Sequence, residues 1–245
     1  VNYILGEERI IVSDLPGTTR DSIDSLFERK GQKYILIDTA GIRRKSRIHQ
    51  STERFSVIRS LKAIEECQVA LIIIDAIEGV TEQDKRIAGL VDEAGKASIL
   101  VINKWDLVKK DAKTMRTYEK KLREDLGFMY YAPTIYISAV TGQRVDNLLE
   151  TIDLVDNEAM KRFNTRILNQ YLDEIVGLNP PPSEKGRKIK FSYVTQGNIR
   201  PPTFIFFVNY PKSIHFSYRR YLENKFREAF SFTGSPIRFI FKEKK

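Results

Sequence analysis

The chain has 245 residues, of which 42% are hydrophobic and 30% charged, a balance that fits a folded globular protein with room for two domains and excludes a disordered chain. A single cysteine, Cys67, rules out an internal disulfide, and two histidines leave no basis for a Cys/His metal site. The net charge of +9 is unevenly placed: residues 1–157 carry 24 Lys and Arg against 25 Asp and Glu, whereas residues 158–245 carry 17 against 7.

A neutral part followed by a basic one points to a polyanionic partner for the C-terminal third, RNA before DNA. No run approaches the ~18 consecutive apolar residues that a membrane span needs, and no leader pattern opens the chain. The expectation is a cytoplasmic protein with neither membrane nor DNA as partner.

In chain order, the first notable stretch is PGTTRD (16–21), loop material rich in Gly and Thr. Four apolar runs follow: KYILID (33–38), VALIIID (69–75), SILVIN (98–103) and TIYIS (134–138). Runs without polar alternation are the mark of strands covered by helices on both faces. Helical stretches separate them: Phe55, Ile58, Leu61 and Ile64 recur every three residues, and further helices are predicted over about 82–94, 114–126 and 145–160. The fold class is therefore α/β, a doubly wound, mostly parallel sheet whose ligands bind beyond the carboxyl ends of the strands.

Past about residue 160 the pattern changes. Ile167, Leu168, Tyr171, Leu172 and Ile175 mark a helix that Pro180, Pro181 and Pro182 stop. KIKFSYVTQ (188–196) alternates, with Ile189, Phe191 and Tyr193 expected inward, and TFIFFVNY (203–210) is a second strand. Tyr218, Leu222, Phe226 and Ala229 then line one side of a helix with Arg220 and Arg227 opposite, and PIRFIFKEK (236–244) closes the chain with Ile237, Phe239 and Phe241 on one face. The order α-β-β-α-β describes a small α+β domain over 158–245, after an α/β domain over 1–157.

The strand ends carry the chemistry. Asp38-Thr39-Ala40-Gly41 closes the first run, Asn103-Lys104-Trp105-Asp106 the third and Ser138-Ala139 the fourth, with Thr18-Thr19 upstream. In the guanine-nucleotide motifs of P-loop GTPases, which these quartets resemble, a carboxylate at the Asp106 position accepts both the N1 and the exocyclic amino protons of guanine, whereas adenine offers a lone pair and no amino group there. A site built on such bonds rejects the analogue lacking them by ~10⁴-fold.

Taken together, these quartets resemble the guanine-nucleotide motifs of the translation-factor-like P-loop GTPases. With LPGTTRDSID, DTAGIRRK, INKWDLV and the C-terminal RPPTFIFFVNYP and YRRYLENKFREAF, the whole chain closely resembles the Der (EngA) family, covering its second G domain and its KH-like domain. The resemblance implies binding and hydrolysis of GTP to GDP and phosphate, gating assembly of the bacterial large (50S) ribosomal subunit. It assigns Asn103, Lys104, Asp106, Ser138 and Ala139 to the guanine base, with the Ala139 N–H meeting the guanine oxygen. Thr18, Thr19, Asp38, Thr39, Ala40 and Gly41 fall to the phosphates, and Thr19, Asp38 and Gly41 to the catalytic centre. Mg²⁺ would be held by Thr19 and, through water, by Asp38. The implied partners are the 50S subunit with its rRNA and an upstream G domain of the same protein.

Three departures qualify the resemblance. Ile42 stands where Ras-type enzymes carry the glutamine that orients water, which resembles GTPases with a hydrophobic residue there, some of which use K⁺ between the phosphates. No G-x-x-x-x-G-K-[ST] loop occurs, so VNYILGEERIIVSD reads as the end of the helix after such a loop running into switch I, and the 245-residue chain is expected to bind GTP poorly or not at all. The C-terminal domain also lacks the G-x-x-G loop with which KH domains clamp a nucleic-acid backbone, leaving Lys188, Lys190, Arg219, Arg220 and Arg227 as the candidate phosphate contacts. The alternative reading is an RNA-binding scaffold module whose nucleotide fold is inactive.

Overall fold

The computed structural model describes residues 24–37, 61–109, 111, 113–183 and 186–244. It begins with a hairpin of β1 (Asp24–Arg29) and β2 (Gln32–Ile37), paired antiparallel from Arg29↔Gln32 to Asp24↔Ile37. Lys30 and Gly31 both take positive φ (52° and 80°), the primed-turn geometry that matches strand twist. Among the described residues β2 pairs with β1 alone, so the KYILID run is there one arm of an antiparallel hairpin. Apolar runs do not specify strand direction; the two-residue turn does. The hairpin leans on the helix Val145–Met160 through Arg29 to Asp146 (2.8 Å) and the Tyr34 hydroxyl, which donates to Asp153 (2.7 Å).

The parallel sheet consists of β3 (Val69–Asp75), β4 (Ala97–Asn103) and β5 (Thr134–Tyr136), in that spatial order. Between them run α1 (Glu82–Glu93) and α2 (Thr114–Asp125), and α3 (Val145–Met160) follows β5. Thr81 caps α1 reciprocally: its hydroxyl accepts from the Asp84 N–H (3.2 Å) while Asp84 accepts from the Thr81 N–H (3.0 Å). The central strand β4 is buried on both faces, as its unbroken apolar run requires. Leu100 and Ile102 face Ala88, Val91 and Leu122, whereas Ile99 and Val101 face Leu148, Val155 and Ala159 of α3.

The C-terminal part has the predicted order: α4 (Thr165–Leu178), β6 (Phe191–Asn198), β7 (Thr203–Val208), α5 (Phe216–Phe230) and β8 (Arg238–Glu243). β7 is central, antiparallel to β6 and parallel to β8. Leu168, Leu172 and Ile175 of α4 and Leu222 and Phe226 of α5 bury Val194, Phe204, Phe206 and Val208. Three expectations change here. A register shift between Phe191 and Tyr193 turns Tyr193 to the outer face, where it stacks on Phe207 at 4.2 Å, and Val194 takes the inward place. Ile167 is exposed, and so is Ala229.

The two sheets meet near the starts of β4, β7 and β8. The Ser98 N–H at the start of β4 donates to the Gly234 carbonyl (2.7 Å), and the Gly234 N–H donates to the Tyr131 carbonyl (2.8 Å). Arg200 Nη2 donates to both carboxylate oxygens of Asp156 (2.5 and 2.7 Å), the buried Glu158 accepts from the Phe232 N–H (2.9 Å), and Arg238 donates to the Glu93 carbonyl (2.8 Å). Gly234 sits at φ +75° against Val155, where a Cβ would approach Cγ2 to 2.4 Å. Arg227, expected on a free helix face, instead lies over the rings of Tyr130 and Tyr131 and donates to the Phe232 and Ser235 carbonyls. Its guanidinium is committed to this junction rather than to solvent.

Candidate functional site

The tips of β3, β4 and β5 lie side by side because the sheet is in register: Asp75 is opposite Asn103, and the Ile137 N–H donates to Ile102 (2.8 Å). Beyond Asn103 the chain must leave the sheet without burying unpaired polar groups. Trp105 provides the anchor. It is 2% exposed, packs on Tyr136 (4.4 Å) and edge-on to Tyr118 (5.4 Å), and its N–H donates to the Ile137 carbonyl (3.0 Å). With Trp105 turned in, its neighbours Lys104 and Asp106 are both exposed. Lys104 takes the left-handed conformation (φ 62°) that opens the short 3-10 turn Trp105–Leu107.

Asn103 and Ala139 are brought together: the Asn103 side-chain oxygen accepts from the Ala139 N–H at 2.9 Å. This N–H, which the sequence assigned to the guanine oxygen, is therefore already engaged, and a base oxygen must share or displace the Asn103 carboxamide to use it. Ser138 is fully buried, and its hydroxyl accepts from the Thr141 N–H (3.2 Å) within the loop that follows β5. Ala139 and Asp106 are exposed beside that bond. A cavity of about 180 Å³ beside Trp105, lined also by Asp111, Thr114, Met115 and Arg144, is smaller than a typical ligand pocket.

Sequence reasoning missed Asp75. Its Oδ2 pairs with Lys104 Nζ at 2.5 Å and its Oδ1 accepts from the Ile77 N–H at 2.9 Å. The Lys104 ammonium, and secondarily that N–H, hold the Asp75 carboxyl below its usual range. The signal was present, since the run VALIIID ends in a carboxylate just where the sheet ends. Thr18, Thr19, Asp38, Thr39, Ala40 and Gly41, the candidates for the phosphates and the metal, lie outside the described residues. Among the described residues no cluster of three or more His, Cys, Asp or Glu could hold a metal ion.

Two family models match the chain. Residues 162–242 match the C-terminal KH-domain-like segment of EngA bacterial GTPase enzymes, and residues 1–104 match a 50S ribosome-binding GTPase. The GTPase Der of Desulforamulus reducens is 57% identical over 244 residues, which is 100% of this chain and 56% of that protein. The chain belongs to the Der (EngA) GTPase family. The GTPase Der of Desulfitobacterium hafniense is 59% identical, again over 100% of the chain and 55% of the relative. The chain thus spans about half the length of the curated Der relatives it matches. In fold it resembles an Aquifex aeolicus Era variant bound to GDP·AlF4⁻, with a TM-score of 0.50 and 21% identity over 99% of this chain and 87% of that one. This Der-family chain combines a P-loop-GTPase-like α/β fold with a C-terminal KH-like domain. No helix among the described residues is long and apolar enough to cross a membrane.

Proposed function

We propose that the protein binds guanine nucleotide at the tips of β4 and β5 and hydrolyses GTP to GDP and phosphate, as a nucleotide-gated factor in assembly of the bacterial 50S subunit. The observation that carries this reading is the 2.9 Å bond between Asn103 and Ala139, which ties the two strand tips beside the exposed Asp106 carboxylate. A base seated there presents N1–H and its exocyclic amine to Asp106, and its oxygen shares or displaces the Asn103 carboxamide on the Ala139 N–H. The Lys104 stem covers the ring. Thr18, Thr19, Thr39, Ala40 and Gly41 attend the phosphates, Thr19 and Asp38 hold Mg²⁺, and K⁺ serves where Ile42 replaces glutamine. We place the division between the two domains at residues 157 and 158.

Titration of the full-length protein tests the base. GDP is expected to bind far more tightly than ADP or xanthosine diphosphate. Asp106→Asn, whose amide offers a donor to the second oxygen of xanthine, is expected to lose GDP affinity by about 10²- to 10³-fold and to gain xanthosine diphosphate. Preference of the unmutated protein for adenine or xanthine nucleotides overturns the assignment.

The rRNA partner is supported by charge. At the end of the second sheet remote from β4, Lys188, Lys190, Lys212, Arg219, Arg220 and Lys242 are all exposed. Arg187 lies over Tyr210 (5.4 Å) and Arg219 over Phe241 (4.8 Å), so aromatic rings are interleaved with the cations. A site of this kind binds phosphates by releasing counterions, and its RNA affinity falls steeply with salt. An upstream G domain of the same protein is the expected intramolecular partner, supported by the greater length of the Der relatives.

A further inference from the structure

Among the described residues, the carboxylate at the tip of β3 meets the base site only through Lys104. Asp75 is the register partner of Asn103, the residue just before Lys104, and the two strand exits are joined by the Ala76 N–H, which donates to the Asn103 carbonyl at 2.9 Å. One Asp75 oxygen is taken by the Ile77 N–H and the other by Lys104 Nζ. The Asp75 side chain is 12% exposed, whereas that of Lys104 is 51% exposed. The ammonium end of Lys104 is therefore moored while much of its stem stays open to solvent. A lysine at φ 62° with four free side-chain torsions would otherwise sweep a wide arc, and ordering it on binding would cost entropy.

We propose that Asp75 is a positioning residue for guanine-nucleotide binding, anchoring the Lys104 ammonium so that the methylene stem is held beside Asp106 as a preformed cover for the purine ring. The assignment rests on the base-site reading above. Asp75 touches no nucleotide atom; it acts through Lys104, by removing part of the freedom that binding would otherwise have to remove.

A double-mutant cycle on the full-length protein tests it, with equilibrium affinity for a fluorescent GDP analogue as the readout. Asp75→Asn keeps an oxygen for the Ile77 N–H and removes the charge, while Lys104→Met keeps a stem and removes the ammonium. Asp75→Asn is expected to weaken binding about tenfold in the unmutated protein and less than about twofold in the Lys104→Met background. Asp75→Glu, which restores the charge, is expected to recover part of the affinity, and it carries the test should the Asn variant fold poorly. The ratio of guanosine to inosine diphosphate affinity is expected to stay constant across the Asp75 variants, because Asp106 is untouched. Equal losses in both backgrounds, or no loss in either, overturn the role of Asp75. The Asp106→Asn variant separates this from failure of the base site. If it gains xanthosine diphosphate while the cycle is additive, Asp75 alone is refuted; if it does not, the base site falls and the role of Asp75 falls with it.

Discussion

The two three-stranded sheets are built on one plan with opposite chemistry at their working ends. In the first, β4 meets the C-terminal domain at its start, through Ser98 and Gly234, and carries Asn103, Lys104 and Asp106 at its far end. In the second, β7 and β8 meet the first domain at their starts, near Pro201 and Arg238, and end among Lys190, Lys242 and Lys244. A strand of six residues spans about 20 Å, so each sheet separates its junction from its working end by roughly that distance. The first end is a set of mutually bonded groups of fixed geometry, suited to reading donors and acceptors. The second is an exposed cluster of like charge, suited to a polyanion of any sequence. Directional bonds resist salt and charge attraction does not, so nucleotide binding and RNA binding should part company as ionic strength rises.

The sharpest way to break the comparison is at the shared junction. Gly234→Ala places a methyl into Val155 at a left-handed position, and is expected to cost about 2–4 kcal/mol in urea unfolding of the full-length protein. A loss under about 0.5 kcal/mol would mean the two sheets are not pressed together there. Next comes the basic end. Neutralising Lys190, Arg219 and Arg220 together is expected to lower affinity for an rRNA fragment by about ten- to a hundredfold at moderate salt and to flatten the salt slope, with GDP affinity unchanged. A parallel loss of both ligands would show that the ends are not separate.

The smallest effect concerns Tyr131, whose hydroxyl donates to Asp92 at 2.7 Å in the junction. Burial first, then this bond, raises its phenol above the ordinary 10.0. Because the folded value is the higher one, its contribution is complete below pH about 10 and is lost as pH rises, when the unfolded chain gives up the proton and the folded chain still holds it. Tyr131→Phe is expected to lose about 1 kcal/mol at neutral pH and to show a shallower decline in stability above pH 10. Identical alkaline slopes would contradict the bond.

Much of this was readable beforehand, for physical reasons that can be named. Buried parallel strands must be apolar throughout, so VALIIID and SILVIN declared themselves, and groups such as Asn103 and Asp106 at their ends need polar company. The alternation in the C-terminal third predicted its strands, but a single register shift reversed Tyr193, since a strand's facing has period two and one irregular step inverts it. Arg227 looked like a free cation because a helix wheel sees its own helix alone; Tyr130 and Tyr131, nearly a hundred residues earlier, claim it.

By itself, then, the sequence determined the α/β and α+β classes and the concentration of positive charge after residue 157, because each follows from local period, residue chemistry or simple counting. Only tertiary structure decided that Asp75 grips Lys104, that Gly234 closes on Val155, and which end of the second sheet gathers the cations. Those depend on contacts between residues far apart in the chain, and such contacts leave no local trace in the order of amino acids.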